Sequence, residues 1–304
     1  MKFSHDHSLL FSKHDIEDPR MGDIAKVVSL QEFDKQRWDW AIIGFPDDRG
    51  VTLNGGRAGA EDGPNAIRKW FYRLVSPGDS KIADLGDMEM TDDLHADHDR
   101  GAEAIAIALG KAERVAILGG GHDWGYCPIA ALMQGGKVGF VNFDAHLDVR
   151  AGKVHHSGTS YWRALEAGVK GENAAWIGVQ SSAASAAHVN YVRAHGGAIS
   201  WADAANDDTV VVGVLDPMES TAYDYLDLSL DMDVFSMSDA PGVSAPQPLG
   251  LAAYDVVTML STVLNRPTLR TFGIYETAPL LDTEGEPTSR LAARCLWEAI
   301  AAGR

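Results

Sequence analysis

The chain has 304 residues, 45% of them hydrophobic and 23% charged, an ordinary composition for a globular protein and enough length for one large α/β domain or two smaller ones. Its 43 acidic residues against 26 basic ones give a net charge of -17, which argues against nucleic acid or an anionic membrane as the main partner, since both demand basic patches. Cys127 and Cys295 are the only cysteines, too few for a disulfide scaffold or a thiolate metal cage, and they read as a reducing cytoplasm.

Residues 1–35 read as a polar N-terminal arm. The opening stretch, MKFSHDHSLLFSKHDIEDPR, has no apolar core of signal-peptide length, and His5, His7 and His14 belong to the arm rather than to a metal tract. Nowhere do 18 apolar residues run together, so a soluble chain is expected. A strand is predicted over 40–45 (WAIIGF), then a helix over 64–75 opened by Pro64 and a helix over 98–111. Strands follow at 114–120, 137–145, 173–179, 209–215 and 225–235, a helix at 250–264, a strand at 269–276 and a helix at 287–302. This alternation is that of βα units around a parallel sheet. No repeat, low-complexity tract or Gly/Ser linker divides it, so 1–304 is read as a single domain. Trp38, Trp40, Trp70, Trp124 and Trp162 read as packing residues rather than a cofactor box.

In open parallel sheets ligands bind beyond the carboxyl ends of the strands, so the residues just after each apolar run carry the information. Three such ends hold metal-ligating groups. GGGHD supplies His122 in a glycine-rich turn, NFDAHLDVR supplies Asp144, His146 and Asp148 at alternate positions, and SLDMDVF supplies Asp231 and Asp233. On extended backbone, residues two apart share a face, which would let each set converge. Four carboxylates and two imidazoles suit hard or borderline divalent ions such as Mn²⁺. Six ligands exceed what one catalytic ion with an open position needs, and they suit two ions roughly 3.5–4 Å apart that share carboxylates and a hydroxide. Gly119, Gly120 and Gly121 would let the backbone pass close by.

These three motifs resemble the metal-binding motifs of the ureohydrolases, the family of arginase, agmatinase and formimidoylglutamase. The resemblance runs from Ile42 to Trp297 and takes in GVTLNGGRAGAEDGPNAIR and GIYETAP. It implies a three-layer α/β/α sandwich around a mostly parallel sheet of about eight strands, and two Mn²⁺ ions per subunit. Position by position, it implies that His122, Asp144, Asp148 and Asp231 hold one ion. Asp144, His146, Asp231 and Asp233 would hold the other. It further implies that Glu276 pairs with the cationic nitrogens of a small amidine or guanidine substrate, and that the chain is a homo-oligomer. A hydroxide supplied near neutral pH would attack the planar carbon, with Asp148 accepting a hydrogen bond from its NH₂ group.

Within that family the details look most like formimidoylglutamases, which cleave N-formimino-L-glutamate to L-glutamate and formamide. Its two carboxylates call for cations, and Arg57 and Arg150 are the candidates, with Asn54 beside them. Ser157 stands where arginases and agmatinases place a proton-shuttling histidine, which leaves His155 and His156 as candidates to protonate the leaving nitrogen. Asp123, Thr277 and Ala278 depart from the formimidoylglutamase pattern. An arginase- or agmatinase-type hydrolase releasing urea is therefore kept as the alternative, and a non-catalytic, metal-stabilised relative as a reading of another class.

Overall fold

Along Ala112–Leu118, Val115 and Ile117 are buried in one apolar cluster while Ala116 and Leu118 are buried in another. A strand apolar on both faces needs a covering layer on each side, and helices supply both. The helices Gly63–Phe71, Ala253–Leu264 and Pro287–Ala302 contribute to one cluster. Leu94–Leu109, Tyr126–Met133, Ser160–Glu166 and Ala186–Ala194 pack on the opposite face.

The computed structural model describes residues 1–204, 213–216, 218 and 222–302. Among them one sheet holds ten strands: β1 (Phe3–Ser4), β2 (Lys26–Val27), β3 (Trp38–Gly44), β4 (Ile82–Met88), β5 (Ala112–Leu118), β6 (Val138–Phe143), β7 (Ala174–Val179), β8 (Ala198–Trp201), β9 (Tyr225–Asp231) and β10 (Leu269–Tyr275). The strands β3 to β10 run parallel in the order β4-β3-β5-β10-β9-β6-β7-β8. This is the three-layer, mostly parallel α/β arrangement expected, with two very short strands added. Both additions come from the N-terminal arm, and β1 (antiparallel) and β2 (parallel) lie along β4, whose outer edge they cover. The arm is docked by side chains as well: His5 Nε2 lies 3.1 Å from the Tyr72 hydroxyl.

Several boundaries differ from expectation. The helix predicted from residue 98 begins a turn earlier at Leu94, because Asp93 caps it by accepting from the N–H groups of His95 and Ala96. The helix predicted over 64–75 ends at Phe71, and that over 250–264 begins at Ala253. The strand expected over 209–215 falls largely outside the described residues, and its described part, 213–215, is helical. Both β4 and β8 were missed. In β4 the apolar run is broken by Asp84, Gly86 and Asp87, and the reason lies on the neighbouring helix. Arg68, fully buried, donates from Nε and Nη2 to the two oxygens of Asp84 (2.9 and 3.1 Å) and from Nη1 to Asp87. Burial would raise the Asp84 pKa, but the Arg68 charge outweighs it and holds the carboxyl below its usual range.

Replacing one partner of such a pair leaves uncompensated buried charge. Arg68→Met, which strands Asp84 and Asp87, is expected to cost about 3–5 kcal/mol in urea unfolding. A loss below about 1 kcal/mol would contradict the reading of β4.

Candidate metal centre and substrate cavity

The four central strands stand in the order β5-β10-β9-β6, so β5 and β6, consecutive in these chain segments, are separated by two strands. The chains leaving β5 and β6 run into helices on one face (Tyr126–Met133 and Ser160–Glu166), whereas those leaving β9 and β10 run into helices on the other (Ala253–Leu264 and Pro287–Ala302), which opens a crevice at the carboxyl ends. Each of these four strands delivers functional residues into it.

After β5 the chain passes through Gly119–Gly121 into a short 3-10 turn, His122–Gly125. A Cβ on Gly120 would run into the backbone of Asp47, and one on Gly119 into the ring of Tyr275. The glycines thus let this turn sit against β3 and β10. The Tyr275 ring lies 4.9 Å from the His122 ring at 20°, a stacked pair.

The convergence expected from strand alternation arises differently. β6 stops at Phe143, so Asp144, His146 and Asp148 lie beyond it in a loop. They meet because the loop curls: Asp144 Oδ1 accepts the His146 N–H at 2.6 Å, and Asp148 adopts a left-handed backbone, φ 49°. β9 likewise ends at Asp231, whose Oδ1 accepts the N–H of Asp233 (2.8 Å) in the turn Met232–Val234. After β10 comes Glu276, also left-handed at φ 61°. Of the four non-glycine residues at positive φ among the described residues, these two lie at the site, where they mark backbone strain held by the surroundings. Glu276 is held twice, since its Oε1 accepts the His122 N–H and its own N–H donates to the Gly120 carbonyl, both at 2.9 Å.

The structure brings all six expected ligands together. His122 Nδ1 lies 3.2 Å from Asp144, 3.2 Å from Asp148 and 2.9 Å from Asp231 oxygens. His146 Nδ1 lies 3.4 Å from Asp144 and 3.0 Å from Asp233. Two groups have ligand atoms within 4.8 Å of one another, His122 with Asp144 and Asp231, and Asp144 with His146 and Asp233. Asp144 belongs to both.

Whether this set fits a cation is answered by His122. Its Nε2 lies 2.9 Å from Ser229 Oγ and 3.2 Å from the Tyr161 hydroxyl. Tyr161 donates its own proton to Asn142 Oδ1 (3.0 Å), so its oxygen is left to accept from Nε2–H. Nδ1 lies among three carboxylates and is a buried atom with no hydrogen-bond partner. Against burial, Tyr161 and these carboxylates hold the His122 pKa well above its usual value, so the pocket demands positive charge at this nitrogen, and a metal cation bound there would take the place of that proton while the hydrogen-bonded Nε2 orients the ring. Three of the four carboxylates agree, whereas burial of Asp144 is outweighed by His122 and His146, which hold it below its usual range. Burial, then the Asp144 charge, pushes Asp148 up to about 6, and burial with Asp233 and Asp144 raises Asp231 well above the usual range. Burial pushes Glu276 up to about 8.

A cavity of about 420 Å³ opens over this cluster, lined by His122, His146, Asp148, Asp231, Asp233 and Glu276 together with Asn54, Arg57, Arg150, Ser157 and His188. The expected substrate residues divide here. Arg57 donates from Nε and Nη2 to the carbonyls of Ser244 (2.9 Å) and Val243 (2.7 Å), so much of its guanidinium secures a loop. Arg150 donates from Nη1 to Asn54 Oδ1 (2.6 Å), and Asn54 Nδ2 donates to Ser157 Oγ (2.9 Å), which aims the arginine. His155 and His156 are not brought to the cavity wall. His155 stacks on His95 (3.8 Å, 4°) and lies 3.3 Å from His98, while His156 Nδ1 accepts the Gly158 N–H at 3.2 Å. The residue missed was His188, on the helix after β7. The strand-end rule pointed to that segment, but no motif marked the histidine.

Sequence and structure comparisons agree on relatives. A family model described as "Arginase family" matches residues 38–302. A formimidoylglutamase of Klebsiella pneumoniae is 30% identical over 295 residues, 90% of this chain and 89% of that protein. The crystal structure of Trypanosoma cruzi formiminoglutamase with Mn²⁺₂ superposes with a TM-score of 0.84 at 30% identity, covering 94% of this chain and 98% of that one. The formimidoylglutamase of Bacillus subtilis shares the fold at a TM-score of 0.87 and 24% identity, over 96% of this chain and 94% of that one.

Two outcomes follow from the buried charges. Asp231→Asn is expected to lower bound Mn²⁺, measured by elemental analysis after dialysis. It should also raise the melting temperature of the metal-free protein, because it removes one of several mutually repelling carboxylates. A lower metal-free melting temperature would contradict the account. Behind the site, Asp227 is fully buried and accepts from Thr271 Oγ1 (2.6 Å), yet burial pushes it up to about 7. The unfolded chain releases this proton near pH ~4 and the folded one near 7, so Asp227 withdraws stability as pH rises through that window. Asp227→Asn should flatten the pH dependence of unfolding there and add at most about 4 kcal/mol above pH 7.

Proposed function

The chain belongs to the arginase family, and from that premise we propose that it hydrolyses a C–N bond of a linear amidine, N-formimino-L-glutamate, giving L-glutamate and formamide. The curated and structural relatives named formimidoylglutamase support this reading. The observation that carries it is the cavity itself: its lining combines carboxylates and imidazoles suited to cations with Arg150, held by Asn54 and Ser157. Such a lining suits a substrate with an amidinium head and an anionic tail.

His122, Asp144, Asp148 and Asp231 would hold one Mn²⁺, and Asp144, His146, Asp231 and Asp233 the other. When bound, such an ion pair supplies a water-derived nucleophile near neutral pH. The chain's own groups do the rest. Glu276, fixed by the His122 N–H, accepts from the amidinium N–H groups in a charge-assisted contact. Asp148 accepts from the NH₂ of the developing tetrahedral centre, stabilising its charge. Arg150 receives a substrate carboxylate, and Arg57, tied to the 243–244 carbonyls, shapes that side of the cavity. Asn54 and Ser157 position Arg150 rather than meeting the reaction directly.

The experiment is turnover by Mn²⁺-loaded protein on N-formimino-L-glutamate, L-arginine, agmatine and 4-guanidinobutyrate, scoring formamide and urea separately. Formamide with glutamate and no urea is expected. Urea from any guanidine, or silence with metal bound, would overturn the assignment. In the same assay Glu276→Gln should lower kcat/KM by about a hundredfold with metal content unchanged.

A further inference from the structure

Among the described residues, three imidazoles line the cavity: His122, His146 and His188. The first two face the metal-site carboxylates. His188 does not. It belongs to the helix Ala186–Ala194, and the N-cap Ser185 accepts its backbone N–H through Oγ at 3.2 Å. That helix follows β7, so the side chain enters from the carboxyl end of the sheet like the other site residues. Among the described residues its ring nitrogens have no hydrogen-bond or ion-pair partner, although the residue is half-buried. An imidazole presented to a cavity without a protein partner has donor capacity left for a ligand.

The neighbouring groups say which part of a ligand. His188 shares the cavity with Arg150, and burial together with the Arg150 charge holds the imidazole below its ordinary pKa. Neither side chain is hydrogen-bonded or ion-paired to Asp148, Asp231, Asp233 or Glu276, so both keep donors open to the cavity. Arg150 spends only Nη1 on Asn54 and keeps Nε and Nη2 for a ligand. Two adjacent donors, one cationic and one made more readily cationic once an anion offsets its neighbour, form a receptor for carboxylate.

We propose that His188 is a specificity-determining residue that, with Arg150, receives the carboxylates of the substrate and selects dicarboxylate amidines over those with one carboxylate. The proposal rests on the amidine-hydrolase reading above.

The test compares wild type, His188→Asn and His188→Arg in the Mn²⁺-loaded enzyme on N-formimino-L-glutamate and its monocarboxylate counterpart N-formimino-L-glutamine. For His188→Asn, KM for the glutamate substrate should rise about tenfold with kcat within about twofold, and KM for the glutamine substrate should stay put. His188→Arg should restore the preference. A fall in kcat at unchanged KM would make His188 a proton donor and overturn the proposal, as would equal losses on both substrates. L-glutamate binding measured calorimetrically reads the receptor without turnover. If wild type binds L-glutamate and His188→Asn binds it about tenfold more weakly, the receptor stands even where the assigned reaction fails. Unchanged binding overturns it.

Discussion

Four carboxylates, Asp144, Asp148, Asp231 and Asp233, are gathered at the ends of two strands in a largely buried site, with His122 Nδ1 in their midst. Such a cluster is unfavourable by itself, because desolvation and mutual repulsion both oppose charge. Much of the surrounding structure exists to hold it in place. The Asp144 and Asp231 carboxylates accept backbone N–H groups of their own turns, and Asp233 accepts the Ala145 N–H at 3.3 Å. Asn142, Tyr161 and Ser229 orient the carboxylate of Asp144 and the outer nitrogen of His122.

The sheet order makes this gathering possible. Because β10 and β9 stand between β5 and β6, loops far apart in sequence end within hydrogen-bond distance of one another. Glu276 shows the coupling, since it closes onto the backbone of His122, 154 residues away. Its left-handed conformation, and that of Asp148, are local costs that a rigid parallel sheet covered on both faces can sustain. A mobile loop would relax them.

The cavity over the cluster is lined both by acidic groups, the carboxylates of the cluster and Glu276, and by two arginines, and its basic character depends on which arginine remains free. Arg57 and Arg150 are equivalent as residue types and both reach the cavity. They differ in what already occupies their donors, backbone carbonyls for Arg57 and a single side-chain amide for Arg150. That difference, rather than the presence of arginine, is what makes Arg150 the candidate in the proposed carboxylate-binding role.

The sequence by itself determined the parallel sheet, through apolar runs that both layers of helices demand, and singled out the six residues that the fold gathers into one cluster, through short motifs placed after those runs. These are local properties, readable from neighbours a few positions apart. The tertiary structure decided the rest. β4 was illegible because its aspartates are neutralised by Arg68, 16 and 19 residues earlier. His155 and His156 looked as well placed as any histidine, yet His155 turns to His95 and His98, and His188 from another strand end enters the cavity. The pairs that aim Arg150 join residues 96 and 103 positions apart. A side chain's role depends on its partners and its solvent, and for these residues both are supplied by distant segments that only the packed fold brings near.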